Sequence, residues 1–290
     1  HGILSDDPRI TFTVNQLEDM PDELTRIQLS TALRGEKNMK PNMNLEFITK
    51  AINNELLIPQ FAEFENEIAG IFEKCRENRS GANADYIPEL AKCPEDNWGL
   101  AICTVEGQRI KMGHSNTEFS IQSCSKPINY AVAMEHLGVD KVHKHVGQEP
   151  SGVAFNALIV NENGLPHNPC INAGAIMVAS LLRSVGDGDS ARFRHVTDFY
   201  KRMAGGRKFE YDNKVYLSEK SQPWGNKALA YLMMKTDAYP EWVQGNGEAV
   251  DQALNFYFML CSLESDADRM SIVAGTLANN GICPLTGEQV

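Results

Sequence analysis

Phe119-Ser120-Ile121-Gln122-Ser123-Cys124-Ser125-Lys126-Pro127 is the stretch on which the reading of this chain turns. A short apolar run enters it. A helical pattern leaves it, from about Ser123 to His136, and stops at Gly138. Ser123 therefore falls at a helix N-terminus, and residues three apart share a helix face, so Lys126 can reach the Ser123 hydroxyl. A serine needs a base to become a nucleophile, and a desolvated lysine can be that base. A helix N-terminus also favours charge growing on an attacked carbonyl oxygen. The S-x-x-K pattern arises about once by chance in a chain of this length, and the same residues also read as an N-cap serine with a solvated lysine one turn on.

Working outward, residues 100–105 and 108–113 flank Glu106-Gly107 and predict a hairpin. Helical stretches are expected over Pro21–Leu33, from an Asn44 N-cap to Leu56, and from Phe61 to Phe72. Others are expected at Ala173–Arg183, Arg194–Met203, Lys227–Met234, Ala249–Leu263 and Asp268–Ala278. Asn78–Asn83 reads as a loop that divides a helical accessory region (1–80) from a second domain (81–290). Few strands stand out besides the hairpin, so the fold class is α+β, helices packed on a mostly antiparallel sheet.

The 290 residues are 42% hydrophobic and 22% charged, an ordinary globular balance. No apolar run is long enough to span a bilayer. A net charge of −11 argues against a nucleic-acid partner and for a small-molecule substrate. The seven cysteines form no C-x-x-C pair, so neither a zinc site nor a disulfide framework is expected. No phosphate loop, dinucleotide fingerprint, H-E-x-x-H or calcium loop is present, and no metal or organic cofactor is expected. The residues from His1 to Asp7 carry no leader pattern, and the turn at Cys283–Glu288 points to more of the domain beyond Val290.

Other polar residues are candidates with an ordinary reading beside each. Asn172 opens a helix of small residues after Pro166-His167-Asn168-Pro169, and can cap it or hold a ligand. His167 reads as a base or as a structural loop residue. Glu219 lies in a polar stretch without apolar period, where it can bind an ammonium or simply be exposed. Asn226 precedes a helical stretch as a cap or a contact. Tyr257 falls on the stripe Val250, Ala253, Leu254, Tyr257, Cys261, which reads as core. Tyr86, in Asp85-Tyr86-Ile87-Pro88, is a proton relay or an interface aromatic.

Together, Tyr86–Ala91, Gln122–Pro127, Val146–Gly152, His167–Ile176, Lys201–Gly205 and Thr276–Gly287 resemble the glutaminase family, and within it the animal kidney- and liver-type enzymes. The resemblance runs over roughly residues 60–290. It implies a β-lactamase/penicillin-binding-protein-like fold and hydrolysis of L-glutamine to L-glutamate and ammonia through a γ-glutamyl ester. It also implies Ser123 as nucleophile, Lys126 as base, Tyr86 as relay, and Ser123, Asn172, Glu219, Asn226 and Tyr257 as substrate contacts. Glu219 would suit the α-ammonium, and the Asn and Tyr side chains the α-carboxylate. Animal members are mitochondrial dimers or tetramers activated by phosphate, with a later K-S-G-type strand, a further tyrosine and ankyrin repeats. Gly152–Ile159 matches a segment near their subunit interface. The alternatives are another S-x-x-K amidase or esterase, and a catalytically incomplete scaffold subunit.

Overall fold

The computed structural model describes residues 2–11 and 43–290. The helix expected over Pro21–Leu33 lies outside these residues. The described helices are α1 (Met43–Ile52), α2 (Phe61–Arg76), α3 (Pro88–Ala91), α4 (Ser125–Leu137), α5 (Val139–His143), α6 (Asn172–Leu181), α7 (Asp189–Met203), α8 (Asn213–Ser221), α9 (Trp224–Lys235), α10 (Gly247–Cys261) and α11 (Ala267–Ala278). The strands are β1 (Gly99–Cys103), β2 (Arg109–Gly113), β3 (Phe119–Ser120), β4 (Glu210–Tyr211) and β5 (Leu263–Ser265).

The centre of the fold is α6. Its sequence, Asn-Ala-Gly-Ala-Ile-Met-Val-Ala-Ser-Leu, has no polar face, and every residue from Ala173 to Leu181 is buried. A helix apolar all round belongs inside a protein. Helices α4, α9 and α10 pack around it. Burying side chains such as Ile176, Met177 and Leu181 is worth about 1.5–3 kcal/mol each relative to exposure. The small residues let the preceding loop come close. A Cβ on Gly174 would stand 1.9 Å from the Asn168 carbonyl oxygen, so only glycine fits there.

The expected hairpin is present. β1 and β2 pair antiparallel, with Gly99 opposite Gly113 and Cys103 opposite Arg109. Gly107 closes the turn at φ +83°, a conformation in which a Cβ is strained. A second antiparallel sheet, in the order β3–β5–β4, was not readable beforehand. Its strands of two or three residues are too short to show an alternation. Ser120 lies opposite Glu264, and the Ile121 amide donates to the Leu263 carbonyl at 2.8 Å. The sheet therefore pins the end of α10 beside the start of α4.

Ahead of the hairpin, Phe47, Ala51 and Leu56 form a small core of their own with Ile3, Ile10 and Ile48. Asn44 lies within α1, not in front of it as a cap. Buried Arg9 pairs with Asp7 at 2.7 Å, and its guanidinium donates to the Glu106 carbonyl at 2.8 Å and the Pro284 carbonyl at 3.2 Å. One charged side chain thus ties the N-terminal segment to the hairpin turn and to the last residues of the chain. Among the described residues no helix is long and apolar enough to cross a membrane.

Candidate active site

β3 leads into a single 3-10 turn, Gln122–Cys124, which runs directly into α4. Ser123 sits in this turn and is exposed. Gln122, just before it, has φ +44°, a left-handed conformation that costs a non-glycine residue about 1–2 kcal/mol. The surroundings enforce it. The Ser125 hydroxyl donates to the Gln122 carbonyl at 2.7 Å, and the Gln122 side chain is held at both ends of its amide. Strain of this kind, maintained by contacts, is characteristic of functional sites.

Lys126, in the first turn of α4, is 3% exposed. Burial lowers its pKa, and the nearby Cys261 and Cys170 thiols act in the opposite sense. Its Nζ donates to Asn172 Oδ1 at 2.6 Å and lies 5.3 Å from the centre of the Phe155 ring. The Ser123 hydroxyl makes no hydrogen bond among the described residues, so the resting Lys126 is engaged by Asn172. Asn172 is the first residue of α6 and does not cap it. Its Oδ1 serves Lys126, so its Nδ2 donates onward to Asn226 Oδ1 at 3.1 Å. Asn226 lies inside the first turn of α9, with Pro223 as the N-cap, and its N–H groups remain available as donors. The Phe155 carbonyl accepts the Asn172 amide at 2.8 Å, which brings the 152–159 loop to the site.

Glu219 overturns the exposed reading of its stretch. The stretch around it is a helix, α8, capped by Asp212, whose carboxylate accepts from the Lys214 and Val215 amides at 2.7 and 3.3 Å. Glu219 is buried, 6% exposed. Burial pushes its carboxyl up to about 7, and a hydrogen bond from Gln122 works against the shift. Tyr257 is also buried, on α10. Burial, then the Cys261 thiol, raise its phenol well above the ordinary range, and Glu219 and Tyr86 add to this. The apolar stripe that carries Tyr257 is core, and its tyrosine end also faces the site.

Tyr86, before the short helix α3, donates its hydroxyl to Gln122 Oε1 at 2.8 Å. Partial burial, then the Glu219 carboxylate, raise its phenol. One connected set is thus Tyr86–Gln122–Glu219 and the other is Lys126–Asn172–Asn226. Cys261 lies near both: burial pushes its thiol up to about 12, Glu219 adds to the shift, and Tyr257, Lys126 and Ser125 oppose it. Seven of the eight candidate residues are thus placed around the start of α4. Gln122, Ser125 and Cys261 were not singled out from the sequence. Gln122 alone offered a signal, as a polar residue inside the motif that carries Ser123. His167 is not among the groups these bonds connect. A cavity of about 690 Å³ between α2 and β2, lined by Phe72, Arg76, Arg79, Trp98 and His114 among others, contains none of the site residues.

Residues 81–290 match the family model described as Glutaminase. The chain is 39% identical over 289 residues to the mouse protein "Glutaminase liver isoform, mitochondrial", covering 100% of this chain and 47% of that protein. It is 38% identical over 223 residues to "Glutaminase" of Nostoc sp., covering 77% of this chain and 64% of that one. The solved structure "Probable glutaminase ybaS" superposes with a TM-score of 0.69 at 28% identity, over 78% of this chain and 71% of that chain. The chain spans about half the length of the mouse relative. Its helices and small antiparallel sheets form the β-lactamase-like fold of these neighbours, and the chain belongs to the glutaminase family.

Proposed function

We propose that the protein hydrolyses the side-chain amide of L-glutamine to L-glutamate and ammonia by acyl transfer through Ser123. The observation that carries the reading is the buried Lys126, pushed towards its neutral form and held one turn from Ser123. Neutral Nζ takes the Ser123 proton as Oγ attacks the amide carbon. The Ser123 backbone N–H, at the helix start, supplies part of the oxyanion stabilisation. When the tetrahedral adduct collapses, the proton moves from Lys126, with Tyr86 as relay, to the departing nitrogen, and ammonia leaves. Water then attacks the γ-glutamyl ester, Lys126 takes its proton and returns it to Ser123, and glutamate is released.

The rest of the site supplies recognition. Glu219, once ionised, pairs with the α-ammonium. The donors of Asn226 and Asn172 and the hydroxyl of Tyr257 suit the α-carboxylate. A buried carboxylate at this point favours an amino-acid substrate over a simple ester or a lactam, which have no ammonium to satisfy it. A solved neighbour of the same fold is described as "Mglu in its glutamate form", which supports the proposed product.

By the same resemblance, the protein is proposed to be mitochondrial, as the name of the mouse relative has it, to form a homo-oligomer (dimer or tetramer) and to respond to phosphate. Val153, Phe155 and Leu158 are each more than half exposed on one loop, an apolar patch that supports assembly. The test is ammonia release from L-glutamine by the full-length protein and its Ser123→Ala variant, with and without phosphate. Hydrolysis that vanishes in the variant establishes reaction and nucleophile together. A folded, unsubstituted protein that releases no ammonia overturns the proposal.

A further inference from the structure

Three hydrogen bonds run in series from the backbone of α10 to Tyr86. The Ser120 hydroxyl lies 2.9 Å from the Cys261 carbonyl oxygen. Gln122 Nε2 lies 3.0 Å from Ser120 Oγ. The Tyr86 hydroxyl lies 2.8 Å from Gln122 Oε1. Their directions are not independent. A backbone carbonyl only accepts, so Ser120 donates to Cys261. The Ser120 hydroxyl has one proton, and its remaining capacity is to accept, so Gln122 turns its amide nitrogen towards it. Gln122 then presents its oxygen to Tyr86, and an amide oxygen only accepts, so the phenol gives its single proton to Gln122.

Amide oxygen and nitrogen are told apart by their neighbours. A flipped amide would set its oxygen against the oxygen of a serine whose proton is already committed to the Cys261 carbonyl.

We propose that Ser120 is a positioning residue that sets the hydrogen-bond polarity of Tyr86, leaving the phenol oxygen only lone pairs to offer the site. The inference rests on the glutaminase reading above and adds a division of labour to it. Tyr86 can steady a donor, such as the Ser123 hydroxyl before attack, but it does not hold a proton ready for that step. Lys126 takes the first proton. Tyr86 can act as a relay only after its bond to Gln122 has been released. Ser120 touches neither substrate nor reacting atoms and acts through Gln122 alone.

The experiment compares Ser120→Ala, Ser120→Thr, Tyr86→Phe and the Ser120→Ala/Tyr86→Phe double variant in the full-length protein. Ser120→Ala is expected to lower kcat about tenfold with KM within about twofold, since misplacement of a site group without loss of a substrate contact acts on the chemical step. Ser120→Thr keeps the hydroxyl and is expected to restore kcat. In the Tyr86→Phe background, Ser120→Ala is expected to have no further effect, because the two residues lie on one path. Losses that multiply in the double variant, or an unchanged kcat in Ser120→Ala, overturn the proposal. A crystal structure of Ser120→Ala gives a readout independent of turnover. Tyr86 is expected to leave Gln122, and a contact retained at 2.8 Å overturns the proposal. An unsubstituted protein that hydrolyses no glutamine overturns the proposed function, and that crystal structure still decides the polarity.

Discussion

Lys126 Nζ donates to Asn172 Oδ1 at 2.6 Å, joining the first turn of α4 to the first residue of α6. The bond uses the neutral end of an amide. It holds the amine in place without the electrostatic pull that a carboxylate would exert on its proton. Asn172→Asp is therefore expected to raise the Lys126 pKa and move the rising limb of kcat to higher pH, with activity at pH 7 lower by about 10- to 100-fold. Asn172→Ala is expected to lose activity at every pH, and about 1–3 kcal/mol of stability, because it strands a buried amine and unlocks Asn226. A pH–rate profile of each variant, with denaturant titrations, separates the two outcomes. An unshifted profile in Asn172→Asp would sink the argument.

Glu219 makes the second prediction. With its carboxyl pushed up to about 7 by burial, the free site is half protonated near neutrality and cannot pair an ammonium below that point. kcat/KM for glutamine is expected to rise with pH through about 7 on this account, and Glu219→Gln is expected to flatten that limb and raise KM by about 100-fold. The effect on stability has the opposite sense. A folded pKa above the ordinary 4.5 means the folded state favours the proton, so stability declines as pH rises from about 4.5 to about 7. The cost of the ionised group is roughly 3 kcal/mol. Ligand-free Glu219→Gln should melt above the unsubstituted protein at pH 8, and the difference should vanish below about pH 4.5. Equal Tm values at pH 8 would contradict the burial argument.

Which parts of this were legible beforehand follows from how local each signal is. The hairpin showed because an apolar run, a Glu-Gly turn and a second run lie within fifteen or so positions. Ser123 and Lys126 showed because one helix start carries both. α8 did not show. Val215, Tyr216 and Leu217 are consecutive, so Asn213–Ser221 has no period of 3.6, and its helix is held by the Asp212 cap and by packing on α3 and α10. The strands β3, β4 and β5 are fixed by partners more than fifty residues away along the chain or across a helix, and two residues cannot alternate. The Tyr86–Gln122 bond joins positions 36 apart, a contact that only tertiary structure makes. Tyr257 was readable as core, and it is core. Its second face is what the stripe could not reveal.

Gly174 gives the third prediction. A Cβ there would lie 1.9 Å from the Asn168 carbonyl oxygen and 2.9 Å from the Pro169 Cα. Neither is the end of a flexible side chain, so the loop or α6 must move. Gly174→Ala is expected to cost roughly 3 kcal/mol and to displace Asn172, two residues away, with loss of activity. Gly225, also in a helix, meets nothing within 4 Å. Gly225→Ala is expected to be neutral or to stabilise by up to about 1 kcal/mol through helix propensity. Urea titrations of the two variants check the contrast, and similar stabilities would refute the close-packing account of α6.

The last prediction concerns the charges that hold α11 to the hairpin. Asp268 is fully buried and accepts from Arg207 at 2.7 Å and from the buried Arg109 at 3.4 Å. Removing its carboxylate leaves Arg109 enclosed without its buried counter-charge, and the cost of such a stranded ion is roughly 3–5 kcal/mol. Asp6 also pairs with Arg109, at 2.5 Å, and the shorter distance would make it the stronger partner if distance decided. Burial decides instead. Asp6 is half-exposed, so water screens the pair and replaces it when it is broken, and a surface pair contributes about 0–1 kcal/mol. The lowered pKa of Asp6, set by burial acting against the stronger pull of Arg109 and Lys111, places its small contribution above pH 4, with loss as pH falls further. Asp268→Ala is therefore expected to unfold at a much lower urea concentration than Asp6→Ala, with unchanged m-value in both. An Asp6→Ala variant as unstable as Asp268→Ala would show that the N-terminal segment, and not the buried carboxylate of α11, carries the hairpin charge.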